Sequence, residues 1–453
     1  MTIDTQHALI TAQRAVSDTQ SVRIQAQEAR LADLVAQLAT MKGRLATLEK
    51  QANLPSWEDS LSKRLAKIEA ASKKAPDLPP DVVSAGDFPG SIRIPGTDAA
   101  IKFGGLIRTA VVLTLNPLGT DDRFLTNSIP VGTQSIGEAR RTNISARASR
   151  LNFEFRTPQG RNELRTYFEG DFAGAGSINS FRLRHAYAQY VGFIIGQTWS
   201  TFADPWIEPG DLDFEGLSAQ NLIRQPQVRY WWSPKPDTRH AVSMETPEVS
   251  ISGGTGVNLI PDLVARSFFG YPDGTHLQVA GVLRQIRGQT QAGDVRSEWG
   301  VGGSVSGIKL MKVKGLTDRV MFQVNGGLGI ARYINDLNSL GGQDAVFDTT
   351  TGDLKVLPVL GWYVGYEHRW KEWEAFQTMN LRTTLLWSLV AVRTYDFQPP
   401  DAYRRTNRFS ANVVFSPTAR ADFGVEYIYG MRENKDGQWA SANQFQAVAL
   451  FRF

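Results

Sequence analysis

The sequence predicts an all-β chain, a 16-stranded antiparallel transmembrane β-barrel, preceded by an N-terminal α-helical coiled coil. Three observations carry that expectation. From Ile101 onward apolar residues recur at every second position, the period of a strand with one apolar face. The connections between these segments divide into tight and long ones, so one end of the structure is short-looped and the other long-looped. The chain stops on an aromatic residue, Phe453, in phase with the apolar face of its last segment.

Composition sets the limits. With 453 residues and 42% hydrophobic content, the chain can build one large barrel over its last 350 or so residues. A net charge of +4 and the lack of any basic run give no reason to expect nucleic acid. The absence of cysteine excludes disulfide frameworks, thiolate metal sites and cysteine nucleophiles. No run of 18 apolar residues is present, so no membrane helix is expected. Residues 1–6 lack the basic and apolar regions of a signal peptide, so an exported protein is represented here by its mature chain.

Taken in order, the first element is a heptad repeat. Ile24, Leu31, Leu38 and Leu45 recur every seven residues, and Leu34, Met41 and Leu48 follow the last three of them at a spacing of three. This is an a/d seam that needs partner helices, and it leaves two and three strands both open. Pro55 breaks the helix, and Ser56 with Asp59 can cap a second one carrying Trp57, Leu61, Leu65 and Ile68. Residues 1–72 are therefore read as coiled coil and short helix. Residues 73–96, with Pro76, Pro79, Pro80 and Pro89, are read as a stiff, partly extended linker, and 97–453 as the barrel.

Strands are expected near 101–115, 143–156, 163–173, 181–191, 193–199, 225–232, 239–246, 262–271, 275–286, 297–310, 319–334, 355–369, 378–392, 404–415, 419–431 and 441–453. Tight connections follow even-numbered strands, as at Pro272-Asp273-Gly274, and the long ones, 116–142, 200–224 and 335–354, follow odd-numbered strands. Leu381, Thr383, Leu385, Trp387 and Leu389 alternate with Arg382, Thr384 and Ser388. The polar face carries too many charges for a dry core, so it lines water and the apolar face turns outward. Trp199, Trp231, Trp232, Trp370, Trp373, Tyr427 and Tyr429 lie near strand ends, as interfacial girdle residues do. Phe451 and Phe453 resemble the terminal aromatic signature read by the barrel-assembly machinery.

One connection stands apart. Residues 199 to 223 carry five acids, Asp204, Glu208, Asp211, Asp213 and Glu215, with no Lys or Arg, and apolar anchors at Trp206, Ile207, Leu212, Phe214, Leu217 and Leu222. A loop so long and so anchored is expected to pack against something. Arg150, Arg165, Arg182, Arg184 and Arg229 project into the lumen from neighbouring strands, with Arg266 further round. An inward-folded loop at 200–224 then sets its carboxylates opposite an arginine ladder, a transverse field that selects ions by sign. Over the barrel, Arg150, Arg156, Arg165, Arg182, Arg184, Arg229, Arg266, Arg284, Arg382, Arg408 and Arg420 outnumber Glu154, Glu163, Glu169, Asp171, Asp422 and Glu426 among inward candidates, a bias toward anions. The competing reading is that wall acids neutralise these arginines.

An enzyme is not expected. His7, His185, His240, His276 and His368 are the only histidines, and none stands in a catalytic arrangement with Ser, Asp or Glu; a hydrolase remains the remote alternative. Asp336, Asp344, Asp348 and Asp353 lack calcium-ligand spacing, so no metal or other cofactor is expected. A tether between outer membrane and cell wall, acting through the coiled coil, is the structural alternative.

The heptad N-terminus, the Pro-rich linker, the opening Ile101-Lys102-Phe103-Gly104-Gly105, the central Arg182-Leu183-Arg184-His185-Ala186-Tyr187 and the run Gly196-Gln197-Thr198-Trp199-Ser200-Thr201-Phe202 together resemble the DcaP-like trimeric porins over nearly the whole chain. The resemblance implies a homotrimer of 16-stranded barrels in the outer membrane of a Gram-negative bacterium, in contact with lipid and lipopolysaccharide. It also implies a periplasmic coiled coil and passive diffusion of small anionic solutes such as dicarboxylates and aromatic acids. It transfers no individual substrate residue.

Overall fold

The computed structural model describes residues 39–42, 84–132, 140–158, 163–175, 179–313, 316–339, 342–370 and 380–453. Sixteen barrel strands follow one another: β1 (Ala100–Thr114), β2 (Arg141–Ser145, resuming at Arg150–Arg156), β3 (Arg165–Asp171), β4 (Arg182–Tyr190), β5 (Phe193–Trp199), β6 (Arg224–Lys235), β7 (Thr238–Glu245) and β8 (Asp262–Gly270). The second half comprises β9 (His276–Gln289), β10 (Val295–Val313), β11 (Leu316–Leu328), β12 (Pro358–Arg369), β13 (Asn380–Val392), β14 (Tyr403–Thr418), β15 (Ala421–Asn434) and β16 (Trp439–Arg452). Each pairs antiparallel with the next. Residues 106–114 of β1 pair with 444–452 of β16 and close the barrel. Closure leaves no strand of the described barrel with a wholly free edge, the condition for crossing a bilayer with strands.

Alternation decides which face is which. In β14 Thr406, Arg408, Ser410, Asn412 and Val414 are buried while Phe409 and Val413 stand exposed. In β16 Gln444, Gln446, Val448 and Leu450 are buried while Phe445 and Phe451 are exposed. Phe103, Ile107, Ile144, Leu151, Val279, Val305, Val324, Leu385 and Trp387 continue the exposed apolar surface around the barrel. So broad an apolar band is the signature of a lipid-facing wall.

The interior is not an open tube. The described parts of three connections, 115–132, 200–223 and 329–339 with 342–357, turn inward and cover apolar patches of the inner wall. Leu118, Phe124 and Ile129 pack on Ile428 and Ala442. Phe202, Ile330, Tyr333, Ile334 and Leu337 pack on Val264, Val282, Val359 and Val390. At the long-looped end, residues 251–252, 345–347 and 354–356 add a small separate sheet.

Four expectations need correction. Strand 11 ends at Leu328 rather than 334: Gly329 adopts φ 65°, and the following apolar residues dive into the inner cluster as a 3-10 turn and a short helix, Asn335–Asn338. β2 is interrupted at 146–149, where Ser149 N donates to Ala146 O and the Ser149 hydroxyl takes over pairing with Arg108. Within the linker, residues 84–96 are not simply extended, since Ala85 pairs with Ile92, Ile92–Arg93 pairs with the start of β1, and Phe88 lies 4.7 Å under the Arg156 guanidinium. Arg420 lies in the exposed turn between β14 and β15 and lines no lumen. The coiled-coil seam at Ile24, Leu31, Leu34, Leu38, Leu45 and Leu48 lies outside the described residues. Met41 falls in the described helical stretch 39–42 and is exposed.

Candidate functional site

The connection 200–223 is rooted before it crosses. Ser200 N donates to Ile223 O at 2.9 Å, pinching its two ends together. Beneath the pinch the buried Glu245 carboxylate of β7 accepts from Ser200 Oγ at 2.6 Å, Thr201 N at 2.7 Å, Ser243 Oγ at 2.7 Å and also from Gln225 Nε2. A carboxylate with this many donors is satisfied in a buried setting and holds the root in one geometry.

From there the chain tracks along the inner wall away from its root. Asp204 binds His276 of β9 at 3.0 Å and Ser306 of β10 at 2.7 Å, and accepts from Trp206 N at the start of the 3-10 turn Pro205–Ile207. Burial raises the Asp204 carboxyl, but His276 and these donors outweigh it and hold it below its ordinary value. Tyr363 of β12 donates to Ile207 O, Asn412 of β14 to Gly210 O, and Arg108 of β1 to Leu212 O, while Leu212 N donates to Glu426 of β15. Leu212 itself packs on Ala110, Val112, Val414 and Val448. It fits because Gly424 has no side chain: a Cβ there would stand 2.7 Å from Leu212 Cδ1. Asp213 ends the crossing, 2.9 Å from Arg408 Nη1 and accepting from Phe124 N and Gln446 Nε2. On the return, Asn221 binds Gln323 and Asn325 of β11 and Ser304 of β10.

Between this loop and the wall of β2 to β6 lies a cavity of about 260 Å³. Arg150, Arg182, Arg184 and Arg224 line it from the barrel, and Glu208, Asp211, Asp213, Phe214 and Glu215 line it from the loop. Arg182 forks onto Asp171 at 2.9 and 2.7 Å, and Arg184 reaches Glu169 at 2.8 Å and Asp171 at 2.9 Å. Arg150 is buried with its nearest carboxylate, Glu169, at 3.9 Å. Arg224 lies 4.6 Å over the Trp199 ring and makes no ion pair among the described residues. Four guanidinium groups thus share two wall carboxylates, leaving the barrel side positive. On the loop side Asp213 is paired with Arg408, and Glu215 with Arg123 at 3.3 Å. The Phe214 ring receives Arg182 at 5.2 Å and Arg123 at 5.5 Å, cation–π contacts that brace the gap.

The other sequence candidates lie elsewhere. Arg165 binds Glu154 at 2.5 Å and Tyr187 at 2.7 Å, away from the cavity lining. Arg229 donates to Trp199 O and Arg266 to Ala203 O, so both hold the loop backbone. Asp204 is a wall anchor. Trp199 is not a girdle residue: it is buried against His185, at 5.3 Å between ring centroids, and Arg224. Trp232 and Trp370 are exposed on the outside, and Trp373 is outside the described residues. Phe451 and Phe453 are exposed, and Phe453 still pairs with Gly105 through both backbone groups. His185 is buried with Nδ1 3.0 Å from Thr198 Oγ1. Asp336 is held by Asn127 N and Thr406 Oγ1, Asp344 by Arg284, and Asp348 and Asp353 cap an exposed turn.

Sequence reasoning does not reach Arg123 or Arg224. Arg224 sits one residue before the expected start of its strand, and Arg123 enters the site because residues 115–132 fold inward. The signal was available in Leu118, Phe124 and Ile129, apolar anchors of the same kind as those of the acidic loop.

Comparison with known proteins agrees with this architecture. Residues 54–444 match the family model described as DcaP outer membrane protein. The crystal structure of the outer membrane channel DcaP of Acinetobacter baumannii superposes with a TM-score of 0.69 at 23% identity, over 82% of this chain and 100% of that one. The anion-selective porin from Comamonas acidovorans is more distant, with a TM-score of 0.49 and 10% identity over 78% of this chain and 100% of that one. No curated protein sequence matches the chain. With the family model covering most of its length and the barrel closed as described, the chain belongs to the DcaP outer membrane protein family.

Proposed function

We propose that this outer-membrane channel gives passive passage to small hydrophilic solutes and favours anions, with the gap between the acidic loop and the arginine wall as its selective constriction. The observation that carries this reading is the charge count at the gap. Five arginines, Arg123, Arg150, Arg182, Arg184 and Arg224, line the gap against four acids, Glu208, Asp211, Asp213 and Glu215, and of these acids Asp213 and Glu215 are already paired to Arg408 and Arg123. Low-dielectric walls concentrate such a field and raise the local concentration of counter-ions. Several guanidinium groups around a cavity of this size suit compact carboxylates, including dicarboxylates and aromatic acids, because a planar fork binds a carboxylate with two parallel hydrogen bonds. The family resemblance implies that the working unit is a homotrimer with its N-terminal segment in the periplasm. The reversal potential of the purified protein in a planar bilayer under a salt gradient tests the reading. An anion-selective sign is expected, and a cation-selective sign overturns it.

A further inference from the structure

A second cavity, of about 340 Å³, opens at the long-looped end, the extracellular end in barrels with short periplasmic turns. It lies across the short helix Asn335–Asn338 from the constriction. Asn335 and Asn338 line the constriction cavity, whereas Leu337 of the same turn lines this one. The volume falls in the range of small-molecule sites.

Its lining is amphipathic. Leu337, Leu357, Val392, Pro399 and Tyr403 give it an apolar wall, and Arg432 is its one charged side chain among the described residues. Arg432 makes no ion pair among the described residues, and its Nη1 donates to Asn127 O at 2.7 Å while its buried Nε has no partner. Asp336 and Asp401 act on this half-buried guanidinium through the field without coming within ion-pair distance, so a carboxylate in the cleft would be its first direct anionic partner. Among the described residues no acid lines the cavity, which argues against a cation, and a single basic residue argues against a dianion.

We propose that this cleft binds small monocarboxylic acids with a ring-sized apolar body, the carboxylate on Arg432 and the body against Leu337, Leu357, Val392 and Tyr403. Such a site concentrates solute at the mouth, upstream of the constriction and separate from it.

The test is photolabelling of the purified full-length protein with 4-azidobenzoate, followed by peptide mapping. Adducts are expected in the segment 392–403, suppressed by excess benzoate and not by the neutral isostere benzamide. Arg432→Gln should raise the half-saturating concentration about tenfold, the scale of a lost hydrogen bond to a charged group. Ala402→Trp fills the cleft while leaving Arg432 in place, so it covers the case in which the first variant does not assemble; it should abolish these adducts. Adducts confined to 208–224 overturn the cleft and leave the constriction reading standing. Labelling at 392–403 that benzamide suppresses equally, or that survives in Ala402→Trp, also overturns it.

Discussion

Asp213, on a connection that leaves the wall between β5 and β6, sits 2.9 Å from Arg408 of β14 on the far side of the lumen, with both side chains buried. The pair is the clasp of the crossing. Arg408 also donates to Phe124 O at 3.0 Å and Gly216 O at 2.5 Å, so one guanidinium ties together two inward connections.

Arg408→Ala is expected to release the clasp. Removing one partner of a buried pair leaves an uncompensated charge and costs about 3–5 kcal/mol, more than a loop in water holds in reserve. Single-channel recordings should show larger and noisier conductance. The double variant Arg408→Leu with Asp213→Leu, which leaves no orphaned charge, should be quieter than the single one.

Gly424→Leu should dislodge the loop without changing any charge. The new side chain occupies the space of Leu212, whose Cδ1 already stands 2.7 Å from an added Cβ. Overpacking of this kind costs typically 1–3 kcal/mol. Altered conductance with little change in reversal potential at high salt separates this steric effect from the electrostatic one; unchanged conductance means the loop tip does not set the bore.

Asp336 gives the long-looped end a pH dependence. Burial pushes its carboxyl up to about 6, against the pull of the Thr406 hydroxyl and the Asn127 amide. A carboxyl raised on folding favours the folded form when protonated. Its contribution is therefore complete below about pH 4 and is lost as pH rises through about 6, ~3 kcal/mol in all. Amides of residues 331–339 should be better protected from hydrogen exchange at pH 5 than at pH 8, after correction for intrinsic rates. Asp336→Asn should remove most of that difference.

How far the sequence carried these conclusions depends on what a period can report. A period of two assigns faces: it puts Arg150, Arg182 and Arg184 on the inner face, and all three line the cavity behind the acidic loop. It says nothing of height or partner. Arg165 faces inward too, yet it meets Glu154 and Tyr187 away from the gap, and Arg229 and Arg266 face inward only to hold backbone carbonyls of the loop. The acidic connection was legible through its apolar anchors Leu212 and Leu217, while Phe124 carries the same kind of signal in a connection whose inward course the sequence reading did not reach. The end of β11 was not legible, because Ile330 to Leu337 is as apolar as a strand and only Gly329 marks the turn.

The N-terminal hairpin should matter to the barrel base and not to conduction. A chain starting at Ser84 keeps Phe88 under Arg156, whereas one starting at Gly96 loses a contact of roughly 1 kcal/mol. Both should form channels of equal conductance, with the shorter one unfolding at slightly lower temperature. Loss of conductance in the shorter chain contradicts the independence of the two parts.

The most direct measurement concerns the two faces of the gap together, by reversal potential at low salt. Arg182→Ala with Arg184→Ala should shift selectivity toward cations, and Asp211→Asn with Glu215→Gln should shift it toward anions. Both shifts should shrink together as salt rises beyond 0.1 M, where the screening length is about 10 Å. Opposite shifts that fade in parallel are the expected result; shifts of the same sign, or no shift from either pair at low salt, mean that the acidic loop and the arginine wall do not share one waterway.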